Sequence, residues 1–321
     1  MKVIFCLFFL LTIITGCKKD IQNHPYSKIQ LPFAGTIRDI TIINLSTWII
    51  CGGDNASGKI LKTTNSGLTW NTSSTFFNTP VNCLYFLNQD TGFAGDADII
   101  IYKTIDGGQN WNAFLDDSWP LTINRNLRDI WFINDTTGFV CGGKNLGNGV
   151  LYNTTNGGVE WNYREFNHEY RGICFIDNEN GIMCGHGSLL TTRNGGASFE
   201  ISNQNKLYFT GIALNELNQY WVCDFNGTIM NSSDKGQSWK ESRNGSAWEF
   251  KGGQLNCIDT SPEGRIVCAG PAGFFTWSDD NGSSWNDRKC FGGTDILSIK
   301  WISANEVVAA GKNGQFFHII L

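Results

Sequence analysis

The residues best placed to do chemistry are three arginines. Arg38, Arg128 and Arg171 each open a short β-like run, and Asn82, Thr210, Asn256 and Leu297 stand in the matching place of four further runs. A guanidinium offers planar, paired donors that suit a carboxylate or a phosphate. Three of them converging on one opening would hold a carboxylate, a phosphate or an acidic loop of a partner. Asp39 and Asp129 directly follow two of the arginines, so local ion pairing or plain solvation is the other reading. Trp119 in FLDDSWPLTINRN (114–126) and Trp248 in ESRNGSAWEFKGG (241–253) lie beside charges in loop-like stretches. Aromatic rings in such places serve protein interfaces or stack on sugars, unless they fold over the loops as packing.

No constellation of nucleophile, base and acid accompanies these residues. The chain has no Gly-x-Ser-x-Gly elbow, no His-Glu-x-x-His and no Cys-x-x-Cys, and its four histidines are scattered. The glycine-rich GGKNLGNG is followed by no helical pattern, so phosphate cradling at a helix N-terminus is unsupported. Neither a cofactor nor a metal site is indicated. With 24 basic and 29 acidic residues and no basic block, a nucleic-acid surface is not expected.

A repeat must position these side chains. TIDGGQNW (104–111) recurs as TTNSGLTW, TTNGGVEW, TRNGGASF, SSDKGQSW and SDDNGSSW. The rule is Ser/Thr, any, Asp/Asn, any, Gly, any, any, Trp/Phe. Its third position is Asn65, Asp106, Asn156, Asn194, Asp234 or Asp280, and its last is Trp70, Trp111, Trp161, Phe199, Trp239 or Trp285. An Asp or Asn oxygen accepts backbone N–H groups of its own turn, and the Ser/Thr hydroxyl adds a contact. The glycine supplies a positive φ, and the aromatic ring folds back between neighbouring units to bury its area. These carboxylates are therefore scaffold rather than catalytic acids.

The turns recur roughly every 40–50 residues, with four β-like runs per unit, which is the pattern of a propeller blade. A lone blade cannot bury both faces, so blades must stack and the ring must close. After the sixth turn, DILSIKWISANEVVAAGKNGQFFHIIL supplies three runs, while YSKIQLPF (26–33) is a spare strand ahead of the first unit. The expectation is an all-β propeller over residues 26–321 with seven four-stranded blades, the last closed by the N-terminal strand. Six blades is the alternative, should a terminal unit be only a cap. First strands would line a central channel, with the arginine column at its opening.

The 11 cysteines fit this frame. Cys51, Cys141, Cys184 and Cys223 share a second-strand column with Gly95, Ala269 and Ala310, and Cys83 and Cys257 share a first-strand column. Small residues recur in both, so cysteine there acts as a compact apolar group. Free buried thiols are expected, and Cys257 with Cys268 is the one pair to check as a disulfide.

Residues 1–16 read as an export signal. Lys2 precedes VIFCLFFLLTII, an apolar core short for a membrane span. ITGC (14–17) resembles the bacterial lipobox, which implies lipidation of Cys17 and a membrane held through acyl chains. An ordinary secretory signal cut nearby is the other reading. Residues 17–25 would be a polar tether, and Lys18 after the cysteine fits outer-membrane sorting, with the leaflet open.

The recurring turn resembles the Asp-box, or BNR, repeat of sialidases and related propellers. Across residues 36–320 the wider unit, with TGF.CG, G.L..T and GG..W, looks more like the photosystem II assembly factor family. That resemblance implies a seven-bladed propeller that binds other proteins without catalysis. A sialidase needs an arginine triad, a Tyr–Glu pair and an acid Asp, and many carry an Arg-Ile-Pro element that is missing here. Tyr208 and Glu249 are isolated candidates without supporting spacing. Three readings follow. The first is a membrane-anchored binding or assembly lipoprotein that uses the arginine face on a protein partner. The second is a glycan-binding lipoprotein using Trp119 and Trp248. The third, a divergent sialidase-like glycoside hydrolase, needs two carboxyl groups about 5–10 Å apart on the channel face.

Overall fold

Apolar and small residues dominate the second run of each unit, and such runs form strands that need cover on both faces. Gly92–Asp96, Gly181–Gly185 and Tyr220–Asp224 are accordingly buried along their whole length. The computed structural model describes residues 26–54, 56–114, 125–203, 207–245 and 253–321. Strands among these residues form seven four-stranded antiparallel sheets, each a simple meander. Blade I runs from Ile37–Ile42 to Asn71–Thr72, blade II from Val81–Phe86 to Asn112–Phe114, and blade III from Asn126–Phe132 to Asn162–Phe166. Blade IV runs from Tyr170–Phe175 to Glu200–Asn203, blade V from Phe209–Leu214 to Lys240–Arg243, and blade VI from Cys257–Thr260 to Asn286–Lys289.

Blade VII combines both ends of the described chain. Ile296–Ser303, Glu306–Gly311 and Phe316–Ile320 pair in order, and Tyr26–Ile29 adds the fourth strand in the register Tyr26 to Ile319 and Ile29 to Phe316. The Tyr26 ring meets Phe291 at 5.5 Å and Phe317 at 5.8 Å, both edge-on. The seven-bladed, strand-closed expectation therefore holds, and the six-bladed alternative does not. Each first strand touches the first strands of its two neighbours, so the seven form a closed ring around the axis. The hydrophobic core lies between blades. One cluster joins Phe93 and Ile101 of blade II to Ile130, Val140 and Tyr152 of blade III.

The recurring turn links third and fourth strands in blades I to VI. Its Ser/Thr hydroxyl donates to the Asp/Asn oxygen at 2.8–3.0 Å in all six copies. The same oxygen accepts the backbone N–H four residues on, as from Asn110 to Asp106 at 2.9 Å and from Ser284 to Asp280 at 2.7 Å. The glycine N–H returns to the hydroxyl, as from Gly158 to Thr154 at 2.9 Å. Each closing ring packs on the preceding blade: Trp161 meets Phe93 edge-on at 6.1 Å, and Trp111 joins the cluster of Ile49 and Ile60.

This meander gives the ring two unlike faces. First strands begin, and second strands hand over to third, on what is here termed the mouth face. First-to-second turns and the six recurring turns lie on the opposite, turn face. The N-terminal strand enters from the turn face, because Tyr26 pairs with Ile319 near the end of a strand running toward that face.

All nine described cysteines are free, eight of them buried. Cys257 and Cys268 do not form a bridge. Cys257 pairs with Ala269 and Cys268 with Ile258, so side-chain alternation sends the two thiols to opposite faces of the sheet. They belong to separate clusters, Cys257 toward blade VII and Cys268 toward blade V. Gly95 shows why the column is small: a Cβ there would lie 2.8 Å from the Cys83 sulfur opposite.

Candidate functional site

The arginine column is built from β-bulges. In blades I to V and VII the ladder skips one residue near the start of the first strand. The skips fall between Ile37 and Asp39, Val81 and Cys83, Leu127 and Asp129, Tyr170 and Gly172, Phe209 and Gly211, and Ile296 and Ser298. The residues left out are Arg38, Asn82, Arg128, Arg171, Thr210 and Leu297. Asn256 holds the same place immediately before Cys257–Thr260. A bulge breaks side-chain alternation and re-aims the extra residue. Arg38 and Asp39 can thus both face the channel, as do Arg128 and Asp129. The seven column residues line one cavity of about 150 Å³ at the mouth face.

Two of these polar residues are spent on blade joints. Thr210 donates to the Leu255 carbonyl at 2.9 Å, and Asn256 to the Ile296 carbonyl at 2.8 Å. The remaining polar donors, Arg38, Asn82, Arg128 and Arg171, all come from blades I to IV. Sequence reasoning missed their partner. Glu169, in the loop ahead of blade IV, lies 2.9 Å from Arg128 Nη2 and 3.2 Å from Arg171 Nη2. It also accepts the Arg128 Nε–H at 2.9 Å and, on its other oxygen, the Leu146 N–H at 3.2 Å. The available signal was its position two residues before Arg171. Burial and the neighbouring Arg171 pull the Arg128 guanidinium below its usual range, although Glu169 opposes this. Arg38 has no ion-pair partner among the described residues, and its Nε lies buried without an acceptor. Among the described residues, Glu169 is thus the one carboxylate in ion-pair contact with any of the three guanidiniums of the mouth.

Asp39 and Asp129 do not pair with the arginines beside them. Asp39 accepts the N–H groups of Ile40 at 2.8 Å and of Leu84 in blade II at 2.9 Å, and the Ser298 hydroxyl of blade VII at 3.1 Å. Asp129 accepts from Ile130 and from Ile173 of blade IV, each at 2.9 Å. Asp259 accepts the Trp301 N–H of blade VII at 2.9 Å and lies 3.6 Å from Lys300. These carboxylates fasten neighbouring blades across the channel wall. Burial pushes all three upward, Asp129 to about 7. Each of them accepts at least one backbone N–H from a neighbouring blade. Beyond them the channel opens to the turn face through a cavity of about 320 Å³ walled by Tyr85, Phe86, Trp131 and Trp301.

The fold also gathers rings that the sequence leaves scattered. His168 lies 5.7 Å from His186, His186 5.7 Å from Tyr208, and Tyr208 6.1 Å from Phe225, ring centre to centre. This stripe leaves the mouth at Arg171, whose guanidinium stands 5.0 Å over the Tyr208 ring. Burial pushes the Tyr208 phenol upward, against the pull of Arg171 and Arg128. Trp119, Trp248, Glu249 and Cys17 lie outside the described residues. Among the described residues, no group of three or more His, Cys, Asp or Glu side chains is placed to hold a metal ion.

The same fold occurs in solved structures of low sequence identity. YCF48 bound to D1 peptide superposes with a TM-score of 0.71 at 19% identity, covering 92% of this chain and 97% of that one. YCF48 from Cyanidioschyzon merolae gives 0.69 at 15% identity, over 92% and 98%. A streptogramin B lyase gives 0.75 at 13% identity, over 94% and 99%. At these identities the likeness is one of fold. No family model matches the chain, and no curated protein matches it.

Proposed function

We propose that this chain is a non-catalytic binding or assembly protein whose mouth face grips an acidic segment of a protein partner. The observation that carries the reading is the cluster of Arg38, Arg128 and Arg171 around one cavity with Glu169 as their shared counter-charge. Guanidiniums pre-placed on rigid strands bind a carboxylate with little ordering cost. The His168–Phe225 stripe beside them offers apolar surface for the residues flanking that carboxylate. A propeller of the same fold has been seen with a bound peptide, which supports this use of the architecture. The recurring turn is read as an Asp-box, with a scaffold role. Cys17 is read as lipidated, which would hold the propeller at the outer membrane.

The test is a cross-linked pull-down of the full chain from its native membrane, beside a variant with Ala at 38, 128 and 171. Thermal melts establish that both fold. Discrete protein partners recovered with wild type and lost with the variant are the expected result. Partners retained by the variant would remove the mouth from the argument.

A further inference from the structure

The proposed anchor and the arginine mouth stand in a definite geometric relation. Tyr26, the first described residue, pairs with Ile319 at the turn-face end of blade VII, in the gap where a seventh recurring turn would lie. The mouth residues begin their strands at the other end of the channel. Eight residues lie between Cys17 and Tyr26, and the nine steps joining them, at 3.3–3.6 Å each, span at most about 32 Å. A lipid on Cys17 would therefore keep the turn-face rim near the bilayer surface.

Among the described residues, more large apolar side chains are exposed on the turn face than on the mouth face. Leu45 and Leu217 in first-to-second turns are 66% and 56% exposed, and Leu68, Ile105 and Val159 in recurring turns are 84%, 70% and 66% exposed. Charge points the same way for the partner. Among the described residues the column that lines the mouth carries three arginines and no acid, which suits an acidic chain approaching from solution.

Resting on the reading of Cys17 as an anchor, we infer that the protein stands with its turn face toward the bilayer and its arginine mouth facing away. The mouth then takes a segment of a partner's water-exposed part, and not a lipid headgroup or a membrane-embedded chain. The anchor and the binding site occupy opposite faces, so engagement of one leaves the other open.

The experiment places fluorophores on the two faces of one blade. The full lipidated chain receives Ala304→Cys at the turn face or Lys312→Cys at the mouth face, both exposed positions of blade VII. The native described thiols are buried or half-buried and resist labelling. Each protein is placed in vesicles of phosphatidylethanolamine and phosphatidylglycerol carrying a headgroup-attached quencher. The expected result is several-fold stronger quenching at 304 than at 312. Equal quenching, or stronger quenching at 312, in a protein whose mass includes the acyl chains overturns the orientation alone. A mass without acyl chains, or a Cys17→Ser chain that still sediments with vesicles as wild type does, overturns the anchor reading and the orientation with it.

Discussion

Glu169 Oε1 lies 2.9 Å from Arg128 Nη2, so the loop that leads into blade IV reaches back to hold an arginine of blade III. The side chain of Glu169 is 2% exposed, while those of Arg128 and Arg171 keep 23% and 29%. The carboxylate is thus the buried floor of the site, and the guanidiniums are its accessible upper surface.

Glu169→Gln separates the two jobs of this residue. The amide oxygen still accepts from Arg128, but the mouth loses its counter-charge. Binding of a short acidic peptide should tighten at low salt and fall more steeply as salt is raised. Folding should weaken by about 1–3 kcal/mol, because a buried charge-assisted contact is lost. Peptide titration at two ionic strengths and a urea melt check both. Weaker binding at low salt would show that holding the arginines in place outweighs the charge.

Gly158 and Gly157 form a matched pair within one turn. Both have positive φ, 79° and 70°. A Cβ on Gly158 would lie 2.5 Å from Phe93 of blade II, whereas one on Gly157 meets only the Asp135 carbonyl oxygen at 3.1 Å. Gly157→Ala should cost about 1 kcal/mol from backbone strain. Gly158→Ala should cost more, about 2–4 kcal/mol, since an interblade contact must also shift. Equal losses in chemical denaturation would mean that the close approach to Phe93 carries no energy.

That contrast marks how far the sequence could be read. Repeat spacing, four runs per unit and the spare strand at Tyr26 set the blade number and the closure, because each follows from local pattern and chain order. The arginine column was legible too, since equivalent positions repeat. The bulge that aims Arg38 and Asp39 into one channel was not, because register depends on the partner strand. Nor was the link from Glu169 to Arg128, 41 residues apart in sequence. The His168–Phe225 stripe likewise exists only once blades III, IV and V are placed side by side.

The thiols should be silent until the chain unfolds. Burial pushes Cys51, Cys83, Cys141, Cys174, Cys184, Cys257 and Cys268 well above the ordinary thiol range, and Cys223 to about 12. Cys290 is only half-buried but is also pushed to about 12 by desolvation. A thiol reagent at pH 8 should leave these nine residues unmodified in the folded protein and label all nine in denaturant, read by peptide mass. Fast native labelling at Cys290 alone would mark local opening beside blade VII. Labelling of the Cys51 and Cys141 column would contradict the packed second strands.

Stability should peak in a mildly acidic window, because two sets of carboxylates pull in opposite directions. Asp106 and Asp234 are held at about 2, the first chiefly by the Asn110 N–H and the second chiefly by the Ser238 hydroxyl. A depressed acid contributes stability above its unfolded value of about 4, and that contribution is lost as pH falls through the folded value. Asp129 is raised to about 7 by burial. A raised acid favours the fold below its unfolded value, and that advantage is lost as pH rises through the folded one. Melting temperature should therefore peak near about pH 4, falling below it as Asp106 and Asp234 take up protons and falling between about pH 4 and 7 as the Asp129 advantage is lost. The acid limb has its own control, because Asn65, Asn156 and Asn194 already serve the same turn uncharged. An Asp106→Asn, Asp234→Asn double variant keeps the accepting oxygen and should flatten the limb between about pH 4 and 2. If that limb survives unchanged, the recurring turns are not its source, and other ion pairs, such as Lys235 with Asp177 at 2.9 Å, must supply it.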